Sequence, residues 1–211
     1  DATLSGTVSQ AAVSGVANWS IYSLTMVGLA GSRNLTATIN GTNITTTGTV
    51  TLSAGTASVV YISTQAAGAA SRQAFTTQPV IQLRDSGGNN VSVQKVITMT
   101  ISAGGNTLNS SVTTNASGVG TFTSAAIYGP VGNYTLTFSG SNLTSAVQNI
   151  SLAHGPINKI SITNTPSTSV TGAVFTSQPV VTIQDQDGNT IDDGTDSTQL
   201  VTLSSSDATI G

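Results

Sequence analysis

The sequence predicts an all-β chain built from repeated β-sandwiches, and three observations lead to this prediction. Val, Ile and Thr are abundant, and β-branched side chains suit the half-buried surface of a pleated sheet. They occur in short runs separated by Gly, Pro, Asn and Asp, which is the pattern of strands joined by turns. A long segment of the chain also recurs further along it, as in repeat proteins.

The repeat is clearest in two segments that lie 100 residues apart. Residues 75–89 read FTTQPVIQLRDSGGN and residues 175–189 read FTSQPVVTIQDQDGN, with eight identities in fifteen positions and no gap. Weaker matches at a similar offset join 52–55 to 152–155 and 15–19 to 118–122. A unit of about 100 residues is the size of an immunoglobulin-like sandwich, so tandem sandwiches of this kind are predicted.

The phase of the repeat divides the chain into one complete unit and two halves. Residues 56–155 form the complete unit, 1–55 resemble the second half of a unit, and 156–211 resemble the first half of the next. A half-unit alone would leave sheet edges and an apolar face uncovered. Two explanations stay open. The chain is a window on a longer tandem array, or the third segment of one copy pairs with the first segment of the next.

Each strand is predicted from an alternating or β-branched run that turn residues bound. In the complete unit these runs are 59–63, 79–84, 93–102, 108–114, 119–124, 133–139 and 147–153. In the two half-units they are 4–8, 16–22, 34–39, 50–53, 160–163, 180–184 and 200–204. The segments 85–89 and 115–118 are turns by composition.

Three motifs of the complete unit carry a family resemblance. They are Q-P-V-x-x-x-x-D-x-x-G-N at 78–89, T-N-A-S-G-V-G-T-F at 114–122 and G-N-Y-T-L-T-F at 132–138. This set is similar to the tandem bacterial immunoglobulin-like repeats of large surface proteins, a group that includes the invasin- and intimin-type adhesins. The match is weaker in 1–55, where Arg33 stands in place of Tyr134. The resemblance implies a spacer, stalk, fibre or adhesive module outside the cell.

Composition argues against several other classes of function. Five Lys and Arg residues among 211 cannot neutralise a run of phosphates, so a nucleic-acid partner is not expected. No apolar stretch approaches the about 20 residues of a membrane-spanning helix, so membrane insertion is not expected. The chain has no Cys, which removes disulfides, thiol nucleophiles and zinc–thiolate sites.

The chain is not expected to be an enzyme. His154 is the only His, and it lies in Ala153-His154-Gly155-Pro156 at the junction between two units. One His among many Ser residues is no catalytic triad, because a triad needs a third, orienting group in the right geometry. We therefore predict a linker role for His154.

The aromatic side chains are predicted to pack in the cores rather than to bind carbohydrate, because the residues beside them alternate in polarity. The aromatic residues at matching phases are Trp19, Phe75, Phe122, Phe138 and Phe175. Tyr134 is predicted to make a tyrosine-corner hydrogen bond to the backbone.

An acidic segment, 185–196, holds five of the eight Asp residues and suggests a calcium loop. The candidate ligands at loop positions 1, 3, 5, 9 and 12 are Asp185, Asp187, Asn189, Asp193 and Asp196. The Gly that position 6 requires is replaced by Thr190. A weak calcium site and a solvated turn both stay open, and calcium is the only cofactor that the sequence suggests.

N-glycosylation sequons are more frequent than composition alone accounts for. The ten acceptor candidates are Asn18, Asn34, Asn40, Asn43, Asn90, Asn109, Asn115, Asn133, Asn142 and Asn149. With 15 Asn and 65 Ser or Thr residues, chance gives roughly half that number. Either these Asn residues carry glycans on a secreted chain, or Asn and Thr are merely common here.

These observations favour a structural protein: a segment of an extracellular, cell-surface fibre, stalk or filament of tandem immunoglobulin-like sandwiches. Its expected partners are copies of itself joined head to tail, because a long β array gives length while each unit touches mainly its neighbours. Two alternatives stay open. One is an adhesin module that binds a glycan or protein. The other is a surface-layer lattice protein, which a calcium loop would favour.

Overall fold

The computed structural model describes residues 2–42, 44–102 and 104–204, and confirms an all-β chain. Its sixteen described strands are β1 (Ala2–Ser5), β2 (Thr25–Gly28), β3 (Gly31–Thr38), β4 (Thr45–Leu52), β5 (Val59–Thr64), β6 (Ala69–Ala70), β7 (Val80–Arg84), β8 (Val96–Ile101), β9 (Asn106–Leu108), β10 (Ser111–Thr113), β11 (Val119–Thr121), β12 (Ala126–Tyr128), β13 (Gly132–Ser139), β14 (Ala146–Ala153), β15 (Lys159–Asn164) and β16 (Val180–Gln184). The single helical element among the described residues is a 3₁₀ turn at Thr195–Thr198.

The central unit, β5 to β14, is a β-sandwich. One sheet has the strand order β10-β8-β13-β14-β6, the other has the order β11-β7-β5, and β9 and β12 form a short separate pair. All pairings are antiparallel except that of β6 with β14. Each sheet therefore contains strands from both halves of the unit, so neither half can complete a sheet alone.

The hydrophobic core lies between these two sheets. In β13 the side chains of Tyr134, Leu136 and Phe138 are buried, while those between them are partly exposed. Phe138 packs edge-on against Phe122, with ring centroids 5.5 Å apart. The largest other fully buried apolar side chains are Ile81, Leu83, Ile97, Met99, Ile127 and Leu152. Each such burial contributes about 1.5–3 kcal/mol to folding.

The aromatic predictions hold in the central unit. Phe75, Phe122 and Phe138 are buried there, and the Tyr134 hydroxyl donates to the carbonyl of Pro130 at 2.6 Å, which confirms the tyrosine corner. In the flanking segments Trp19 is only half-buried and Phe175 is exposed.

The flanking segments form isolated hairpins. Residues 2–55 contain the pairs β1–β2 and β3–β4, and residues 156–204 contain the pair β15–β16. The strands predicted at 16–22 and 200–204 were wrong for this chain: the first contributes only a bridge from Val16, and the second is irregular. In the central unit the matching strands pair with partners from the opposite half of the unit, and the flanking segments lack those partners.

Smaller differences follow from short-range geometry. The single predicted strand 108–114 is two short strands, β9 and β10, which belong to different sheets. Between them Asn109 has a positive φ of 50°, which turns the chain. Within the described residues, no helix is long and apolar enough to cross a membrane.

Candidate functional site: the joints between units

The turn after β7 is organised around the carboxylate of Asp85. Its Oδ1 accepts hydrogen bonds from the backbone amides of Gly87 and Asn89, at 2.9 and 2.8 Å. Its Oδ2 accepts from the amide of Gly55, at 2.7 Å, at the start of the unit. Asp85 is buried, so this one side chain holds the turn closed and ties it to the linker between the first two units.

Asn89 carries the contact into the preceding unit. Its Nδ2 donates to the carbonyl oxygen of Gly28 at 2.9 Å, and its Oδ1 accepts from the amide of Ala30 at 2.7 Å. The same Nδ2 is also bonded to Asp85. An amide side chain suits this position because it supplies both a donor and an acceptor, which a carboxylate or an apolar group of similar shape cannot.

The second joint repeats this arrangement 100 residues later. Asp185 Oδ1 accepts from the amides of Asp187 and Asn189, both at 2.9 Å, and Oδ2 accepts from the amide of Gly155 at 2.8 Å. Asn189 donates from Nδ2 to the carbonyl of Gly129, at 2.9 Å, and accepts at Oδ1 from the amide of Val131, at 2.9 Å. We call this shared Asp and Asn arrangement the Asp–Asn clasp.

The two clasps hold their carboxylates in the charged form. Burial disfavours the charge of Asp85, but the hydrogen bonds from Asn89 and from backbone amides outweigh it and lower its pKa to about 2. At Asp185, burial is likewise outweighed by hydrogen bonds from Asn189 and from the amides of Gly155, Asn189 and Asp187, so its pKa is also lowered. Each buried charge is therefore satisfied by donors from both sides of a joint.

The rim of the second joint adds an ion pair between units. Arg72 donates to Asp187 from Nε, at 3.0 and 3.1 Å, and from Nη2, at 2.6 Å. Ser71 Oγ donates to the same carboxylate at 2.5 Å. The hydrogen bond that Arg72 donates to Asp187 raises the pKa of the guanidinium. The guanidinium also stacks over Tyr128, with its carbon 4.2 Å from the ring centroid, so its fork is held in place.

His154 forms a second contact across this rim. Its Nε2 lies 2.7 Å from Asp193 Oδ1 and 4.0 Å from Asp192 Oδ1, and its Nδ1 lies 2.9 Å from the carbonyl of Gly155. The hydrogen bond to Gly155 and the two carboxylates raise the pKa of His154, against the opposing effect of burial. His154 therefore contacts groups of two adjacent units, in keeping with its predicted linker position.

The first joint has a different rim. Gly87 stands at the position that Asp187 fills in the second joint. A Cβ on Gly87 would lie 2.5 Å from the carbonyl oxygen of Gly28, so no side chain fits there. The clasp is thus common to both joints, whereas the charged rim belongs to the second alone.

The five candidate calcium ligands have different partners. Asp185 and Asn189 form the clasp, Asp187 pairs with Ser71 and Arg72, and Asp193 pairs with His154. Asp196 lies in the 3₁₀ turn. Among the described residues, the acidic group with atoms close enough to share an ion is instead His154, Asp192 and Asp193. The calcium site stays a prediction.

The sequons occupy the surface. Each of the nine described acceptor Asn residues is exposed, and Asn43 lies outside the described residues. Asn133 and Asn149 both lie on the outer face of β13 and β14, where Asn133 is opposite Ser151. Thr135 is opposite Asn149 and donates to its Oδ1 at 3.0 Å. Exposure is what glycosylation requires, and the modification itself stays a prediction.

The sequence carries a signal for the clasp in the D-x-x-G-N that recurs at 85–89 and 185–189. Composition predicts a turn there and offers Asn189 only as a calcium ligand, so neither Asn89 nor Asn189 has a predicted partner across a joint. Gly28 and Gly129 are each followed two residues later by a backbone amide that donates to the Asn side chain. This match is seen only in the folded structure, where adjacent units meet. Arg72 and Ser71 carried no sequence signal.

Comparisons with known proteins give only distant likenesses. No known protein family matches the chain, and no curated protein matches it. Among solved structures, the adhesin FdeC of Escherichia coli is 18% identical with a TM-score of 0.40, covering 78% of this chain and 54% of that one. Domains 4 and 5 of the S-layer protein SbsC are 16% identical with a TM-score of 0.35, covering 72% and 70%.

A glycosyl hydrolase family 2 member from Bacteroides cellulosilyticus is also similar, at 17% identity and a TM-score of 0.39. The match covers 62% of this chain but only 18% of the hydrolase. At these scores the fold assignment rests on the strand pairing of the chain itself.

Proposed function

We propose that this chain is a structural segment of an extracellular, cell-surface fibre or stalk, in which immunoglobulin-like sandwiches follow one another through stiff joints. One observation carries the proposal: the Asp–Asn clasp occurs at both joints with the same donors and acceptors. Because this joint recurs with the period of the repeat, it is a feature of the repeated array and not of one isolated site. When each unit is fixed to its neighbour in this way, the joints preserve the length of the array and the orientation of its units.

The clasp suits a stiff spacer for physical reasons. Its hydrogen bonds join the turn of one unit to the backbone of a loop in the preceding unit, so bending at the joint stretches several bonds together. Two of its members, Asp185 and Asn189, are buried, and an unpaired buried polar group costs about 1–3 kcal/mol. Bending that separates these groups while they stay buried therefore carries that cost.

The stiffness of the second joint can be measured directly by double electron–electron resonance. The chain has no Cys, so Thr123→Cys and Thr163→Cys create two unique labelling sites on exposed positions of adjacent units. We expect a single narrow distance distribution for the otherwise unchanged chain. Asn189→Ala should broaden it, because the bonds to Gly129 and Val131 are lost.

A matched control keeps this test specific. Asn149→Ala removes an amide of the same size from an exposed position on β14 and should leave the distribution narrow. A broad distribution in the unchanged chain, or one that Asn189→Ala leaves unaltered, would count against the stiff-joint proposal.

A further inference from the structure

One peptide unit in each joint is held from both sides. In the second joint it is the peptide that links Pro130 to Val131. Its carbonyl oxygen, on Pro130, accepts a hydrogen bond from the hydroxyl of Tyr134 at 2.6 Å. Its amide, on Val131, donates to Oδ1 of Asn189 in the next unit at 2.9 Å. The tyrosine corner of one unit and the clasp of the next therefore meet on the same peptide.

The first joint has the same arrangement with a different side chain. The peptide between Leu29 and Ala30 lies at the matching position. Its amide donates to Oδ1 of Asn89 at 2.7 Å, and its carbonyl oxygen accepts a hydrogen bond from Nη2 of Arg33. Arg33 stands where the central unit has Tyr134. Both side chains reach the carbonyl four residues earlier, so the contact is kept although the residue type differs.

The two loops that carry these peptides end at corresponding places in their units. Gly31 starts β3 opposite Leu52, and Gly132 starts β13 opposite Leu152. Both glycines have a positive φ, 135° at Gly31 and 156° at Gly132, which residues with a side chain rarely adopt. The loops therefore correspond, and Arg33 takes over the corner that a tyrosine forms in the central unit.

The planarity of the peptide unit couples its two hydrogen bonds. The C=O and N–H groups of one peptide point in opposite directions and can only turn together. The bond from Tyr134 to the carbonyl of Pro130 therefore also fixes the direction of the Val131 amide. Hydrogen bonds in such a chain polarise one another, so the bond from Tyr134 strengthens the bond that Val131 donates to Asn189.

The corner side chains are themselves held in place. Tyr134 is 9% exposed and belongs to the core cluster that includes Leu136 and Phe138. Close packing keeps a core side chain in one rotamer, so the position of its hydroxyl is fixed. Arg33 is half-buried, and its Nη1 donates to the carbonyl of Ser32 at 3.3 Å. The packing of one unit thus determines how its loop is presented to the next unit.

We propose that Tyr134 and Arg33 are positioning residues of the joints, each orienting the peptide that the Asn side chain of the next unit binds. The inference rests on the proposed function, because it takes the Asp–Asn clasp to hold neighbouring units in place. The corner then has two roles, since it closes a loop of its own sandwich and aims an amide at the neighbour. Any side chain that brings a donor to the carbonyl satisfies this requirement, and tyrosine and arginine both do so.

Removal of one hydroxyl tests the role of the corner at the second joint. Tyr134→Phe keeps the ring in the core and removes the donor to Pro130. Amide hydrogen exchange at Val131 should become about three- to tenfold faster, the effect of losing one hydrogen bond. The amide of Leu83, which donates to the carbonyl of Gly118 at 2.9 Å, reports the stability of the whole sandwich and should change less.

A matched control removes the same chemical group from another place in the sandwich. Tyr61 is exposed on β5, so Tyr61→Phe also deletes one phenolic hydroxyl. It should leave exchange at Val131 unchanged.

The first joint allows a rescue experiment. Arg33→Met removes the donor to Leu29 and should speed amide exchange at Ala30, whose amide Asn89 accepts. Arg33→Tyr supplies the hydroxyl that the central unit uses and should keep the exchange rate of the unchanged chain. A general effect of altering the arginine would affect both variants alike.

A double-mutant cycle separates positioning from a general loss of stability. In the chain spin-labelled at positions 123 and 163, Tyr134→Phe should broaden the distance distribution, as Asn189→Ala does. Because Tyr134 acts through the bond to Asn189, adding Tyr134→Phe to Asn189→Ala should broaden the distribution little further. Additive broadening would indicate a structural role alone.

Four results would overturn the inference. They are an unchanged exchange rate at Val131 in Tyr134→Phe, equal acceleration at Val131 and Leu83, additive broadening in the double mutant, and exchange at Ala30 that is as fast in Arg33→Tyr as in Arg33→Met. If Asn189→Ala broadens the distribution while Tyr134→Phe leaves Val131 protected, the proposed function stands and only the positioning role is wrong. A broad distribution in the unchanged chain would count against stiff joints, and the exchange rates would still test the corner.

Discussion

The side-chain amide of Asn189 donates to the carbonyl oxygen of Gly129, 60 residues earlier in the chain, at 2.9 Å. Asn89 makes the same contact with Gly28 in the first joint. The Asp–Asn clasp therefore recurs with the period of the repeat. It fastens the turn after β7, and the matching turn after β16, to the preceding unit.

The two joints can be tested independently by amide hydrogen exchange. Asn189→Ala removes the acceptor of the Val131 amide and should speed exchange at that amide by about tenfold or more, given about 1–3 kcal/mol for a buried hydrogen bond. The Ala30 amide, which donates to Asn89, should not change. Asn89→Ala should give the opposite pattern, and a uniform change at both amides would contradict local clasps.

The first joint should loosen in strong acid. The folded-state pKa of Asp85 is about 2, below its ordinary value of 3.8, so its contribution is complete above pH 3.8 and is lost as the pH falls through about 2. The chemical shift of the Gly55 amide, which donates to Asp85, should follow this titration. Asp85→Asn should abolish the pH dependence, and a midpoint near 3.8 would contradict the clasp.

The second joint should also respond to base. The folded-state pKa of His154 is raised above 6.5, so its contribution is complete below pH 6.5 and is lost as the pH rises through the higher folded value. Because this is the only His, its ring protons give one resolved titration by NMR. Asp193→Asn should lower the midpoint more than Asp192→Asn, since Asp193 lies at 2.7 Å and Asp192 at 4.0 Å.

The calcium prediction can be tested by thermal unfolding. If Asp185, Asp187 and Asp196 bind the ion, chelation should lower the melting temperature of the chain, and added calcium should restore it. Asp187→Asn should remove this response. An unchanged melting curve with and without chelator would leave these side chains with their protein partners only, and would weaken the surface-layer alternative.

The glycosylation prediction concerns the chain from its native source. If the exposed sequons are modified, the intact mass should exceed that of the bare polypeptide, 21.0 kDa for these 211 residues, in steps of glycan mass. Peptide mapping should place glycans first on Asn133 and Asn149, whose side chains lie on an open face of the sheet. A native mass equal to that of the polypeptide would remove the glycan hypothesis.

Features that depend on local pattern could be predicted from the residues alone. Alternation along 133–139 identified which side chains of β13 enter the core, and the repeat at 75–89 and 175–189 identified the unit. The tyrosine corner at Tyr134 followed from its place in the motif. These features could be predicted because a strand exposes alternate residues to opposite faces, and a turn needs particular residues at particular positions.

The remaining features depend on contacts between parts of the chain that are distant in sequence. Which strands form in the flanking segments depends on partners far away in sequence, so 16–22 and 200–204 failed as strands despite suitable residues. The partners of Asn189, and the pairing of Arg72 with Asp187, likewise cross a joint between units. A hydrogen bond or a sheet edge is completed by whatever the fold brings within about 3 Å, and no local pattern records that neighbour.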